Sequence, residues 1–397
     1  MLSQDYKKIV VRCACMFFAG TALQLFTGGI DASFFKYPWG MVLAANFLYL
    51  LVLISFNKEK WAWTGHFTGR STYLLSLLAM LVLTLLFGLI PQGGSGEGVL
   101  DVLGFTQMKS SWVFNLFLLH FTAVMGVQAI DNLRNIKRQK LHVAIMHIAF
   151  FAILFAGIFG SGEKTRVRLK AVQGEPVNVG VTADGEKVEL PFIIKLKDFS
   201  LEEYPPQIHI YSNNNLSKEF LSINEKGSEG VLGKWHIECV EYLEMAGCKP
   251  GDSVYVHMNH VGATTAAYIR AASVDETVEG WVSCGSFIFA GSTLMLPDGS
   301  HLVMPRREVK KYLSLTEFVS GDDKMVYNIA VNAPATIGAW KIYQSGYDSA
   351  RGRWGTSSVF ECVKDSWYPV THVAMWLILV AGVFALLANS IKNKNKR

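Results

Sequence analysis

The sequence predicts a polytopic α-helical membrane protein with six spans and a mainly β extracytoplasmic domain, either an antiparallel sandwich or a partial barrel. Two observations predict this. A helix needs about 20 mostly apolar residues to cross about 30 Å of hydrocarbon. Six stretches meet that length, at residues 10–27, 39–55, 72–90, 112–130, 141–159 and 371–390, and none carries Asp, Glu or Lys in its central part. Between the fifth and sixth lies a long polar stretch, residues 161–370, with ordinary soluble composition and room for one domain with its own core. The chain-wide figures, 51% hydrophobic and mean hydropathy +0.26, are an average over these two unlike parts.

The spans and the polar stretch divide the chain into three. Residues 1–160 form a membrane domain of five helices, 161–370 the β-rich domain, and 371–397 the sixth helix with a basic tail. Lys7, Lys8 and Arg12 precede the first apolar run. With further spans following directly, that run reads as a retained signal-anchor. Lys and Arg orient the chain. With the N-terminus in the cytoplasm, the inner segments carry 14 Lys or Arg, and the short outer loops carry only Lys36 and Lys109. Both termini are therefore expected in the cytoplasm of a cell (inner) membrane, with the long domain outside.

Residues 161–370 hold 21 Lys/Arg and 26 Asp/Glu, so the overall charge of +5 belongs to the cytoplasmic segments that face membrane lipid. A nucleic-acid partner is not expected, because no basic surface is left on the soluble domain. Within that domain, β-branched and aromatic runs at 187–199 (two short runs around Pro191), 208–211, 235–242, 265–272, 280–290, 325–331, 338–344 and 357–363 alternate with turn clusters, among them 212–215, 250–252 and 297–300. A helix is expected near 307–318. Trp39 and the Trp367-Tyr368 pair suit one membrane interface, and Trp61 and Trp63 suit the other.

Several chemistries are excluded. There is no G-x-S-x-G, H-E-x-x-H or Walker A pattern, no C-x-x-C and no C-x-x-C-H. His257 and His260 form an H-x-x-H too sparse for zinc. Cys13 and Cys15 read as small helix residues. Cys239, Cys248, Cys284 and Cys362 could make two disulfides in an oxidising compartment, with three possible pairings. The histidines inside spans stand out, since an ionisable group there is costly and usually faces a bundle interior or a cofactor. His120 lies mid-span in the fourth helix and His147 about two turns into the fifth. By a rise of 1.5 Å per residue they stand roughly 15 Å and roughly 9 Å from their inner ends. His142 and His372 lie at the mouths of their spans. A haem iron takes a neutral imidazole readily. The alternative is a helix–helix hydrogen bond.

A family resemblance rests on particular residues. His147-Ile-Ala-Phe-Phe-Ala-Ile-Leu-Phe-Ala-Gly157 is followed by Gly160-Ser-Gly-Glu163 and Gly174-Glu175. Further on come Leu190-Pro191-Phe192, Asp198-Phe199, Val331-Asn332-Ala-Pro334, Gly338, Ile342-Tyr343-Gln344-Ser-Gly-Tyr347-Asp348 and Asp365-Ser-Trp367-Tyr368-Pro369. From residue 141 onward the chain resembles the ResB/CcsB proteins, membrane subunits of System II cytochrome c biogenesis; the first four spans match by topology alone. The resemblance implies a haem-handling, non-catalytic subunit of a haem lyase (cytochrome c synthetase) complex. It implies a CcsA-type WWD-domain partner, transient non-covalent haem b, and delivery to the reduced C-x-x-C-H thiols of an apocytochrome c. His147 matches the family's haem-ligating position, His120 is a second candidate or pair-mate, and His372 a candidate for an outer site. A b-haem electron-transfer subunit and a non-catalytic assembly or sensing protein are the alternatives.

Overall fold

The computed structural model describes residues 4–93, 98–136, 141–248 and 254–394. It divides into two compact units, Met1–Thr165 with Lys364–Arg397, and Arg166–Val363. The first contains α1 (Gln4–Thr27), α2 (Trp39–Asn57), α3 (Arg70–Leu89), α4 (Trp112–Arg134), α5 (Leu141–Phe159) and α6 (Tyr368–Lys394). Six helical segments among the described residues are long and apolar enough to cross a membrane, and the chain is a multi-pass membrane protein. The basic positions 137, 138, 140, 396 and 397, and the turn at 250–252, lie outside the described residues.

The bundle is built around α4. Over half of its apolar stretch is buried (56%), against at most 28% in any other span. Between helices in lipid there is little hydrophobic drive, so close backbone approach at small residues and polar contacts hold them. A Cβ on Gly126 would stand 2.4 Å from Leu51 of α2 and 2.7 Å from Phe151 of α5. One on Gly20 of α1 would stand 2.8 Å from the Val113 backbone of α4. At the end where α1 begins, the Lys58 ammonium and the Ser55 hydroxyl both lie 2.8 Å from the Asp131 carboxylate, and Arg134 donates to the Ser55 carbonyl at 3.2 Å. At the other end Gln24 accepts from the Trp112 amide (3.1 Å), and the Trp112 indole donates to Thr27 (2.8 Å). α6 lies on α5 through Trp367, whose ring leaves no room for a side chain at Gly160.

The second unit is all β: β1 (Thr165–Val172), β2 (Pro176–Val181), β3 (Lys187–Glu203), β4 (Gln207–Ser212), β5 (Asn215–Ser222), β6 (Glu229–Leu232), β7 (Trp235–Cys248), β8 (Tyr255–His257), β9 (Thr264–Ala272), β10 (Thr277–Ser283), β11 (Leu294–Met295), β12 (His301–Val303), β13 (Val309–Ser320), β14 (Asp323–Ala330), β15 (Ala335–Ile337), β16 (Trp340–Tyr347) and β17 (Ser357–Lys364). An eight-stranded, nearly closed sheet runs β14-β13-β3-β2-β1-β17-β16-β15 and encloses Leu169, Phe192, Ile194, Phe318, Ile342 and Phe360. A five-stranded sheet (β10-β9-β7-β6, with β8 on β7) packs on a four-stranded one (β11-β12-β4-β5) around Trp235, Ile237, Ile269 and Leu302.

Three expectations are corrected here. The helix expected near 307–318 is the strand β13. Its inward positions are Ser314, Thr316 and Phe318, so two polar residues hide the period-2 pattern. Inside, Ser314 and Ser358 hydroxyls lie 2.7 Å apart. The run at 280–290 stops being a strand at Ser283, where Gly285 turns the chain with φ +69°. The two short runs around Pro191 are one 17-residue strand, and the β2–β3 register shift falls around Pro191, which has no N–H to contribute. Cys239, Cys284 and Cys362 are free thiols. Burial pushes Cys239 up to about 11 and Cys362 up to about 12, which keeps both protonated and unreactive.

The two β cores are tied by charge. Glu244 of β7 accepts from Arg307 (2.6 Å) and Arg353 (2.8 Å), and from the Tyr242 hydroxyl. Arg353 reaches Thr265 at 2.8 Å, and Glu203 lies 3.6 Å from Arg307. Burial alone would raise the Glu244 pKa, but the Tyr242 and Arg307 hydrogen bonds and the two guanidinium charges outweigh it and hold it below the ordinary value. Because the folded pKa is depressed, this contribution to stability is complete above the unfolded glutamate range and is lost as pH falls through the folded value. Thermal unfolding of the β unit, followed by near-UV circular dichroism, should therefore weaken below about pH 4.3, and Glu244→Gln should flatten that acid limb. In the membrane unit, Gly126→Val should lower stability by about 1–3 kcal/mol through overpacking, measured by unfolding in detergent.

Candidate functional site

The intramembrane histidines gather around α3. His147 lies on α5, half-buried, and its Nδ1 is 2.8 Å from the carbonyl oxygen of Val143 one turn back. A carbonyl can only accept, so Nδ1 carries the proton and the Nε2 lone pair is left for a metal. This is the arrangement in which metal-binding histidines are commonly held. The Tyr73 ring of α3 is 6.3 Å from the His147 ring. His120 lies on α4, with Nε2 3.4 Å from the Ser76 hydroxyl and the Phe67 ring 5.5 Å away, edge to face.

Tyr73 and Ser76 are three residues apart and share a face of α3. That face therefore receives both imidazoles about one helical turn apart. Among the described residues, no ring contact joins His120 to His147. His120 already uses the outer nitrogen of its ring, and iron would have to displace Ser76 there.

His372 sits elsewhere, on an exposed stripe of α6. Its ring stacks on Tyr368 (5.3 Å, 25°), Nδ1 is 3.3 Å from the Tyr368 hydroxyl, and Nε2 accepts from the Trp376 indole at 3.2 Å. Both ring nitrogens are engaged within one helix. His257 and His260 lie at the end of β8 and in the following bend, both exposed.

Among the described residues, no group of three or more His, Cys, Asp or Glu could hold a bare metal ion. A haem asks less of the protein, because its macrocycle supplies four ligands and the chain supplies only axial ones. The pinned imidazole of His147 fits that role. The neighbours Tyr73, Ser76 and Phe67 belong to no motif in the sequence. Their only trace in the sequence is a hydroxyl pair at helical spacing on α3.

No protein-family model matches the chain, and no curated protein matches it. A solved structure titled Cytochrome c Heme Lyase CcmF overlays with a TM-score of 0.25 at 11% identity, covering 96% of this chain. The chain spans 44% of the length of that protein.

The tautomer is directly measurable. ¹⁵N-histidine NMR of the protein without added haem should show His147 as the Nδ1–H form, and an Nε2–H resonance would remove the basis for its assignment as a ligand.

Proposed function

We propose that this chain is a haem-handling membrane subunit of cytochrome c maturation of the System II type. His147 holds a non-covalent haem b in the bundle. A CcsA-type WWD-domain membrane protein is the partner with which haem reaches the outer face, where the reduced C-x-x-C-H thiols of an apocytochrome c take it up. The observation that carries this reading is the Val143-pinned imidazole of His147, protonated on Nδ1 with its Nε2 lone pair unused. The ResB/CcsB-like residues from 141 onward support it. The bound haem supplies the vinyl groups to which cysteine sulfur adds.

The residues of this chain bind and align; no nucleophile or redox dithiol is among its motifs. Thioether formation is mainly a positioning problem, in which holding reactants in register supplies much of the acceleration. His147 would hold the haem iron, and the aromatic ring of Tyr73 would shield the site from water.

A second reading follows from the shared face of α3: His120 and His147 as paired axial ligands of an electron-transferring b haem. Spectra of the full chain copurified with its partner separate the two. On the first reading His147→Ala lowers Soret absorbance by at least half and His120→Ala has a smaller effect. Equal loss of the low-spin spectrum in both variants supports the paired-ligand reading. Unchanged haem content in His147→Ala overturns the assignment.

A further inference from the structure

The turn between α2 and α3 contains a second imidazole held in the same way as His147. The His66 Nδ1 is 2.5 Å from the Trp63 carbonyl, which again places the proton on Nδ1 and leaves the Nε2 lone pair available. The turn is built to hold this form. Amides of Trp61, Thr64 and Phe67 donate to the carbonyls of Asn57, Trp61 and Thr64 at 2.9–3.1 Å. The buried Thr64 hydroxyl donates to Trp61 at 2.6 Å, and Thr72 of α3 reaches Gly65 at 3.4 Å.

The same turn carries two flat aromatic faces. Trp61 and Trp63 stack 5.6 Å apart at 17°, Trp63 meets Phe67 edge to face at 6.2 Å, and the two indoles remain 37% and 47% exposed. Arg12 of α1 reaches the same turn, with Nη1 3.4 Å from the Gly65 carbonyl. That contact uses one of five guanidinium donors and leaves the rest for a carboxylate or phosphate.

An imidazole pinned through Nδ1, an exposed aromatic pair and a guanidinium are the three elements that would recognise a planar metal macrocycle bearing carboxylates. We propose that the Trp61–Phe67 turn is a second binding site for such a metal tetrapyrrole. His66 is its axial ligand, the Trp61–Trp63 pair is the surface on which the ring lies, and Arg12 is the partner of a carboxylate. The class of ligand rests on the haem-handling reading above. The turn lies at the end of the bundle where α1 and α3 begin, which the Lys/Arg count assigns to the cytoplasmic side. The site is therefore the loading position, from which haem moves to His147. Phe67, in contact with both Trp63 and His120, joins the turn to α4.

The test is a titration of the full-length protein in detergent with ferric protoporphyrin IX, read by Soret absorbance and tryptophan fluorescence. Two binding steps are expected. His66→Ala weakens one at least tenfold, His147→Ala retains that step, and a Trp61→Phe/Trp63→Phe double variant loses most of its fluorescence quenching. The dimethyl ester of the same porphyrin, with its carboxylates blocked, binds that step several-fold more weakly in the wild type and with no further loss in Arg12→Gln. That comparison needs no change at His66 and stands if His66→Ala fails to fold. Two full-strength steps in His66→Ala overturn the proposal. Loss of every step in His147→Ala overturns it too and leaves the haem-handling reading in place. If only His66→Ala loses haem, the turn is upheld and the role of His147 falls.

Discussion

The contact at Gly126 sets the membrane unit. With no side chain there, Leu51 and Phe151 close on α4 from opposite neighbours, so α2 and α5 pack on the same helix at the same level. His147 lies four residues before Phe151 and therefore shares its face of α5. The packing that seats Phe151 on Gly126 also turns the imidazole towards the bundle. The Lys58–Asp131 pair, with side chains 35% and 18% exposed, is too solvated to add much by itself. It fixes the level at which α2 ends against α4, and so the point from which the turn to α3 begins.

That turn illustrates how much of the molecule was legible in the sequence. The spans were, because length and hydropathy in a bilayer leave few alternatives. Trp61 and Trp63 were readable only as interfacial residues, since aromatic side chains near a span end serve that purpose whatever else they do. The backbone hydrogen bonds that orient His66 depend on an irregular turn, and no periodicity reports one. The β unit failed to read at one strand for a related reason. Ser314 and Thr316 point inward, where they pair with Ser358 and the backbone, and an inward hydroxyl looks like a surface residue in any hydropathy pattern. Gln344, within the family-like run from Ile342 to Asp348, is buried in the same polar seam. That run thus marks the interior of the nearly closed sheet, and its Tyr347 stacks on Phe199.

Position in a span is a weak criterion for ligation, and occupation of the ring nitrogens is a better one. Every buried imidazole must satisfy its N–H, and which partner it finds decides which nitrogen is left. His120 and His372 satisfy the hydrogen-bonding needs of the ring with Nε2 itself, through Ser76 and Trp376, so metal binding there means breaking a contact. His147 and His66 turn Nδ1 back onto their own backbone. In these two the Nε2 lone pair takes no part in those contacts. One is in a regular helix, where the carbonyl four residues back is always within reach. The other is in a turn that needs Thr64, Thr72 and Arg12 to hold its shape. Thr64, Thr72 and Arg12 bond the carbonyls of Trp61 and Gly65 on either side of Trp63, so the turn places the His66 ring by tertiary contacts where the helix places His147 by its own repeat.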